Sequence, residues 1–200
     1  MPYSGAEGVP LKLVACQLAR ARERSRLHAS LEQTTMDAIS ALAAALESRD
    51  GTTGEHIKRT QTLAGTVARR LGFAPAEVRV AQYGAMLHDM GKIGIPDSIL
   101  NKPARLTEEE WAYMRRHPEM GAEIVGKISG FEPVAEAVLA HHERYDGRGY
   151  PAALAGSEIP ASARLISAID AYDAMTNDRP YRRALSQEEA LAELEAGAGS

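Results

Sequence analysis

Residues 11–48 contain no proline or glycine, and apolar side chains recur at Leu27, Leu31, Ala38, Leu42 and Ala45. A three-to-four spacing puts such residues on one helical face, so the segment predicts one or two long helices. Arg20, Arg22, Arg24 and Arg26 alternate there with small and polar residues, the pattern of a solvated connecting helix rather than a ligand site. Asp50, Gly51, Thr52, Thr53 and Gly54 form a turn signal, after which 55–71 reads as a helix ended by Gly72. Pro75 suits the first turn of the next helix, which runs through Val78, Ala81, Ala85 and Met86 to His88 and is broken by Gly91, Gly94 and Pro96. Thr107 with Glu110, and Ser186 with Glu189, have the capping-box spacing that opens a helix. Further helices are expected near 118–128, 133–143 and 161–175, with an irregular loop at 146–151.

Composition supports the helical reading. Aromatic residues are only 5% of the 200, and runs of Val, Ile, Tyr and Phe that favour strands are scarce. The expected fold is all-α: a bundle of about seven helices at 35–200, preceded by a connecting helix at 1–34. The single cysteine, Cys16, excludes an internal disulfide, and the N-terminus lacks the order of a signal peptide, so the cytoplasm is the default compartment. The richest apolar stretch, 38–46, stops at Glu47, well short of the roughly 20 residues that span a bilayer. A net charge of −4 argues against DNA or RNA polymers as partners. It still allows a small anion held by bound metal or a few arginines.

Five of the six histidines, His56, His88, His117, His141 and His142, fall at or beside expected helix ends. Neutral imidazole and carboxylate are ligands for first-row divalent metals, and one carboxylate can bridge two ions. A lone histidine is more often a surface or core residue, and His28, in the polar connector, is read that way.

The text around His88-Asp89 is more specific. Leu87-His88-Asp89-Met90-Gly91-Lys92-Ile93-Gly94-Ile95-Pro96 resembles the signature of the HD phosphohydrolase superfamily, in the extended form of the HD-GYP family. In order along the chain follow further matches: Thr53-Gly54-Glu55-His56 with Arg59, His117-Pro118, the run from His141-His142 through Gly149-Tyr150-Pro151, and Asp170 to Thr176 with Asp178-Arg179-Pro180-Tyr181-Arg182. The resemblance covers about 38–194.

It implies metal ligands at His56, His88, Asp89, His117, His141, His142 and Asp170. Asp89 would bridge, with His56, His88 and Asp170 mainly on one ion and His117, His141 and His142 on the other. Two divalent ions are expected, Fe or Mn first, with Zn, Co or Ni also compatible. Some family members carry a third-metal Glu four residues before the first ligand histidine. Thr52 stands there, and Glu55 would point about 100° away from His56 around the helix, so the expectation is a dinuclear centre. The catalytic residues would be Asp89 and Lys92, with Lys92 on the face of His88 if that helix continues, contacting phosphate and assisting the leaving oxygen.

Substrate binding would involve Lys92, Tyr150, Arg179 and Arg182, the two arginines matching positions that hold the second phosphate or a guanine. Arg183 is read as a bystander, and Asp173 as a partner that orients a ligand histidine. Gly147, Gly149 and Pro151 would shape the loop around Tyr150, while Trp111 and Tyr113 are read as packing residues.

The activity implied is hydrolysis of cyclic di-GMP to pGpG, with or without a further step to GMP, by water activated at the two metals. The alternatives are an HD-type phosphohydrolase on another cyclic dinucleotide or nucleotide, and a catalytically weak nucleotide receptor or scaffold for a diguanylate cyclase. Residues 11–31 read as the last helix of an upstream sensory module such as a GAF or receiver domain. The small-residue tail 196–200 stands near where family members continue to a Phe-Asp-Pro stretch and a last helix, so a C-terminal truncation is expected. Apolar surface exposed by that loss would favour a homodimer.

Overall fold

The computed structural model describes residues 8–49, 54–178 and 182–200. The expectations at Thr52, at the turn 50–53 and at Arg179 lie outside them. Two compact units result, Met1–Ile39 and Ser40–Ser200. Helix α1 (Gly8–Glu47) supplies every described residue of the first unit, where Leu11, Leu18, Leu27 and Leu31 are exposed.

The second unit is all-α among its described residues: α2 (Gly54–Arg70), α3 (Pro75–Leu87), a 3₁₀ turn (Met90–Gly94), α4 (Asp97–Leu100), α5 (Glu108–Met114), α6 (His117–Val125), α7 (Glu132–Leu139), a second 3₁₀ turn (Gly156–Glu158), α8 (Ala161–Thr176) and α9 (Gln187–Ala196). Both expected capping boxes form. Thr107 Oγ1 accepts from the Glu110 amide at 3.3 Å while the Thr107 amide donates to Glu110, and Ser186 and Glu189 repeat the arrangement.

Packing follows from side-chain size. Helices α2, α3, α7 and α8 meet around Ala64, Ala68, Ala81, Ala85 and Ala137, with Val78, Leu165, Ile166 and Ile169 filling the space between them. Alanine at the crossings lets the helix axes approach closely and leaves the larger aliphatic residues to close the gaps.

Two boundaries differ from the sequence reading. Helix α3 ends at Leu87 and the chain tightens into the 3₁₀ turn, so Lys92 reaches Asp89 from that turn and not from a continued α-helix. Helix α7 ends at Leu139, and His141 and His142 lie in the turn after it. Ala140 already departs from helical geometry (φ −99°, ψ 6°), and the His141 ring takes the Val138 carbonyl.

Gly91 sets the distance between the 3₁₀ turn and α6. A β-carbon there would sit 1.8 Å from the His117 carbonyl oxygen and 2.5 Å from the Gly121 amide, both backbone atoms that cannot move aside. Gly91→Ala is expected to cost about 1–3 kcal/mol in urea unfolding, as overpacking does. Gly65→Ala should cost less, because its β-carbon meets the Gln82 side chain, which can rotate away.

Candidate metal centre

Three histidines stand at helix ends in the same way. His88 Nδ1 lies 3.0 Å from the Ala85 carbonyl, His117 Nδ1 2.9 Å from that of Met114, and His141 Nδ1 2.6 Å from that of Val138. Each of these carbonyls lies in the last turn of its helix, where the helix itself supplies no partner. A carbonyl only accepts, so each Nδ1 carries the proton and each Nε2 presents a bare lone pair.

Those lone pairs converge. His117 Nε2 and His141 Nε2 stand 3.3 Å apart, and His88 Nε2 is buried without a hydrogen-bond partner. Two acceptors at that distance repel unless a cation lies between them, and a buried orphan acceptor is costly. The side chains form two groups, His56, His88 and Asp170, and His117, His141 and His142, with ligand atoms in each within 4.8 Å of one another. Asp89 faces both: Oδ2 is 3.5 Å from His88 Nε2 and Oδ1 3.4 Å from His117 Nε2. Asp170 Oδ1 is 3.7 Å from Nε2 of both His56 and His88. The donor set fits divalent first-row metals.

The electrostatics agree. Burial opposes ionisation of Asp89, but the Lys92 ammonium, 2.6 Å away, leads the opposing charges, and its carboxyl is held well below the usual range. Burial lowers His117, takes His141 well below its usual value and brings His142 down to about 4. These rings are neutral at pH 7, as metal coordination requires.

His56 is held differently. Its Nδ1 donates to Asp173 Oδ2 at 2.7 Å, and Arg59 grips the same carboxylate through Nε at 2.6 Å and Nη2 at 3.0 Å. Burial alone would raise the Asp173 pKa, but His56 and Arg59 bring it to about 2. A carboxylate behind a ligand imidazole fixes its tautomer and raises its basicity. Asp173 thus occupies the orienting position expected of it.

On the other flank, Tyr150 stacks on His142, ring centroids 4.9 Å apart at 27°. Burial pushes the Tyr150 phenol up to about 12, so it remains a hydrogen-bond donor. Its loop is pinned by Glu143, which is buried and accepts from the Ala152 amide at 2.7 Å and the Leu154 amide at 3.1 Å. Gly147 has φ 75°, a β-carbon on Gly149 would lie 2.4 Å from Glu143 Cα, and the Tyr150–Pro151 bond is cis.

Sequence reasoning passed over Glu143, although an acidic residue directly after two candidate ligands, in a loop rich in free amides, was the available signal. Arg182 turns back and donates to the Ala174 carbonyl in α8, while Arg183 is exposed as expected. His28 is at the surface, 3.8 Å from Glu32. Trp111, read as a packing residue, leaves 44% of its surface exposed, and the Arg115 guanidinium one turn on lies 5.9 Å from its ring centre.

Comparison with known proteins places these observations in a family context. The HD domain family model matches residues 40–200. The chain is 46% identical over 179 residues to the cyclic di-GMP phosphodiesterase response regulator RpfG of Xanthomonas campestris, a match covering 87% of this chain and 47% of that protein. Identity to a cyclic di-GMP phosphodiesterase of Thermotoga maritima is 42% over 155 residues, covering 76% and 42%. To 3′3′-cGAMP-specific phosphodiesterase 2 of Vibrio cholerae it is 36% over 179 residues, covering 88% and 34%. The chain therefore spans less than half the length of these relatives. The solved structure of a cyclic GMP-AMP-specific phosphodiesterase of V. cholerae shares the fold, with TM-score 0.63 at 20% identity, covering 82% of this chain and 44% of that one.

Two outcomes are expected. The folded pKa of His142, about 4, lies below its ordinary 6.5, so between these values the unfolded chain binds a proton that the folded chain refuses. Its contribution to stability is complete above pH 6.5 and is lost as pH falls towards 4. Urea unfolding of metal-free protein at pH 7.5 and pH 5 should show the loss, and it should shrink in His142→Ala. Asp173→Asn should weaken Mn(II) binding by about 10–100-fold, read by calorimetry.

Proposed function

The chain belongs to the HD domain family, and from that premise we propose that it is a metal-dependent phosphodiesterase, of the HD-GYP type, hydrolysing cyclic di-GMP to pGpG and onward to GMP. The observation that carries this reading is the pair of bare imidazole lone pairs 3.3 Å apart, beside the orphaned His88 Nε2 and the Asp89 carboxylate. A receptor or scaffold has no physical need for such a buried set. The relatives named as cyclic di-GMP phosphodiesterases in Xanthomonas campestris and Thermotoga maritima support the substrate.

In this reading His56, His88 and Asp170 would hold one ion and His117, His141 and His142 a second, with Asp89 facing both groups. Fe or Mn suits this mixed nitrogen and oxygen set. When bound, the ions would lower the pKa of a water nucleophile and neutralise charge developing on phosphorus.

The protein's own groups do the rest. Helix-end carbonyls and Asp173 keep the rings in one tautomer, so no proton competes for the inward nitrogens. Lys92, held 2.6 Å from Asp89 Oδ2, is placed to turn from that carboxylate to a phosphate oxygen and to stabilise the leaving oxygen. Tyr150 contributes a donor at the edge of the site. A diguanylate cyclase partner, an upstream sensory module joined through residues 1–34, and a homodimer belong to the same proposal.

Protein purified anaerobically and supplied with Mn(II) or Fe(II) should convert cyclic di-GMP to pGpG. Asp89→Asn should reduce turnover by more than about 100-fold and lower the bound metal, its loss exceeding that of an outer partner. Tight binding without turnover under every metal would favour the receptor reading, and faster cleavage of 3′3′-cGAMP would reassign the substrate.

A further inference from the structure

Of the two arginines expected to grip the far part of the substrate, only Arg182 is among the described residues. Arg182 is committed to the Ala174 carbonyl, and Arg179 lies outside the described residues. A different arginine stands beside the metal-ligand cluster. The Arg115 guanidinium lies 5.7 Å from the Tyr150 ring centre and 5.9 Å from that of Trp111. Tyr150 itself stacks on His142. A run of π faces therefore leads outward from His142 through Tyr150 and Arg115 to Trp111, which is 44% exposed.

Trp111 keeps nearly half of its surface open on a short helix, with a guanidinium within cation–π reach of both its ring and that of Tyr150. Flat π surfaces accept nucleobases irrespective of sequence, and a guanidinium offers its N–H edge to the O6 and N7 acceptors of guanine. Adenine presents an amino donor at the same edge and would be disfavoured. Lysine could not substitute, since it has charge without a plane.

We propose that Trp111 and Arg115, with Tyr150, form a base-stacking wall that takes one guanine of the substrate and sets its preference for guanine over adenine. The assignment rests on the phosphodiesterase reading above. It gives Trp111 a binding role in place of packing.

Trp111 is the only tryptophan in the chain, so its fluorescence reports on the wall directly. Mn(II)-loaded protein titrated with a phosphorothioate analogue of cyclic di-GMP should lose tryptophan emission along the same isotherm that calorimetry records. Arg115→Ala and Arg115→Lys should each raise the KM for cyclic di-GMP about tenfold or more, within the range of lost base stacking. They should also lower the ratio of cyclic di-GMP to bis(p-nitrophenyl) phosphate hydrolysis and narrow the preference over cyclic di-AMP. Arg116→Ala, whose guanidinium stacks on Tyr113 instead, should leave that ratio unchanged. Calorimetric binding without quenching, together with an unchanged ratio in Arg115→Ala, would overturn the wall while sparing the phosphodiesterase reading. No binding of the analogue to wild type, with bis(p-nitrophenyl) phosphate still cleaved, would overturn the substrate reading and the wall together.

Discussion

Two imidazole nitrogens, on His117 and His141, face each other at 3.3 Å with both ring protons committed to backbone carbonyls. Such a pair repels unless a cation lies between the nitrogens. Its persistence depends on the helix ends. Each carbonyl that orients a ring is one the helix would leave unsatisfied, so fixing the tautomer also satisfies the backbone. Local helix termination and site chemistry are the same set of hydrogen bonds.

The scaffold converts that local device into a cluster. Alanines where α2, α3, α7 and α8 cross bring the helices close, and Gly91 lets the turn after α3 press on the backbone of α6. The consequence is that Asp89 and His117, 28 residues apart in sequence, lie 3.4 Å apart in space. The cluster is asymmetric. His117 and His141 are set by backbone carbonyls alone, whereas His56 is set by Asp173, itself clamped by Arg59. A charged orienting group makes its imidazole more basic than a neutral carbonyl does, so the two halves of the centre differ in the ligands they offer.

Glu143 performs a parallel task on the opposite flank. It accepts two loop amides at once, which holds the half-buried Tyr150 against His142 at the edge of the cluster. A loop rather than a helix carries this edge, and a buried carboxylate supplies the rigidity that the loop lacks by itself. Among the described residues no helix is long and apolar enough to cross a membrane.

Much of this was legible in the chain by itself. Apolar spacing, Gly72, Pro75 and the two capping boxes locate helices because their signals are local, and the two groups of histidines with Asp170 anticipated from family resemblance are the two groups that come together. The exits of helices were less legible. The turn at Ala140 and the 3₁₀ turn at Met90 depend on where His141 and Gly91 find partners, and those partners are tertiary. Glu143, the engagement of Arg182 with α8 and the exposed stack of Arg115 on Trp111 could not be read from spacing at all. Periodicity records which face of a helix avoids water, whereas the partner of a polar side chain is decided only when distant segments meet and its hydrogen bonds must be satisfied.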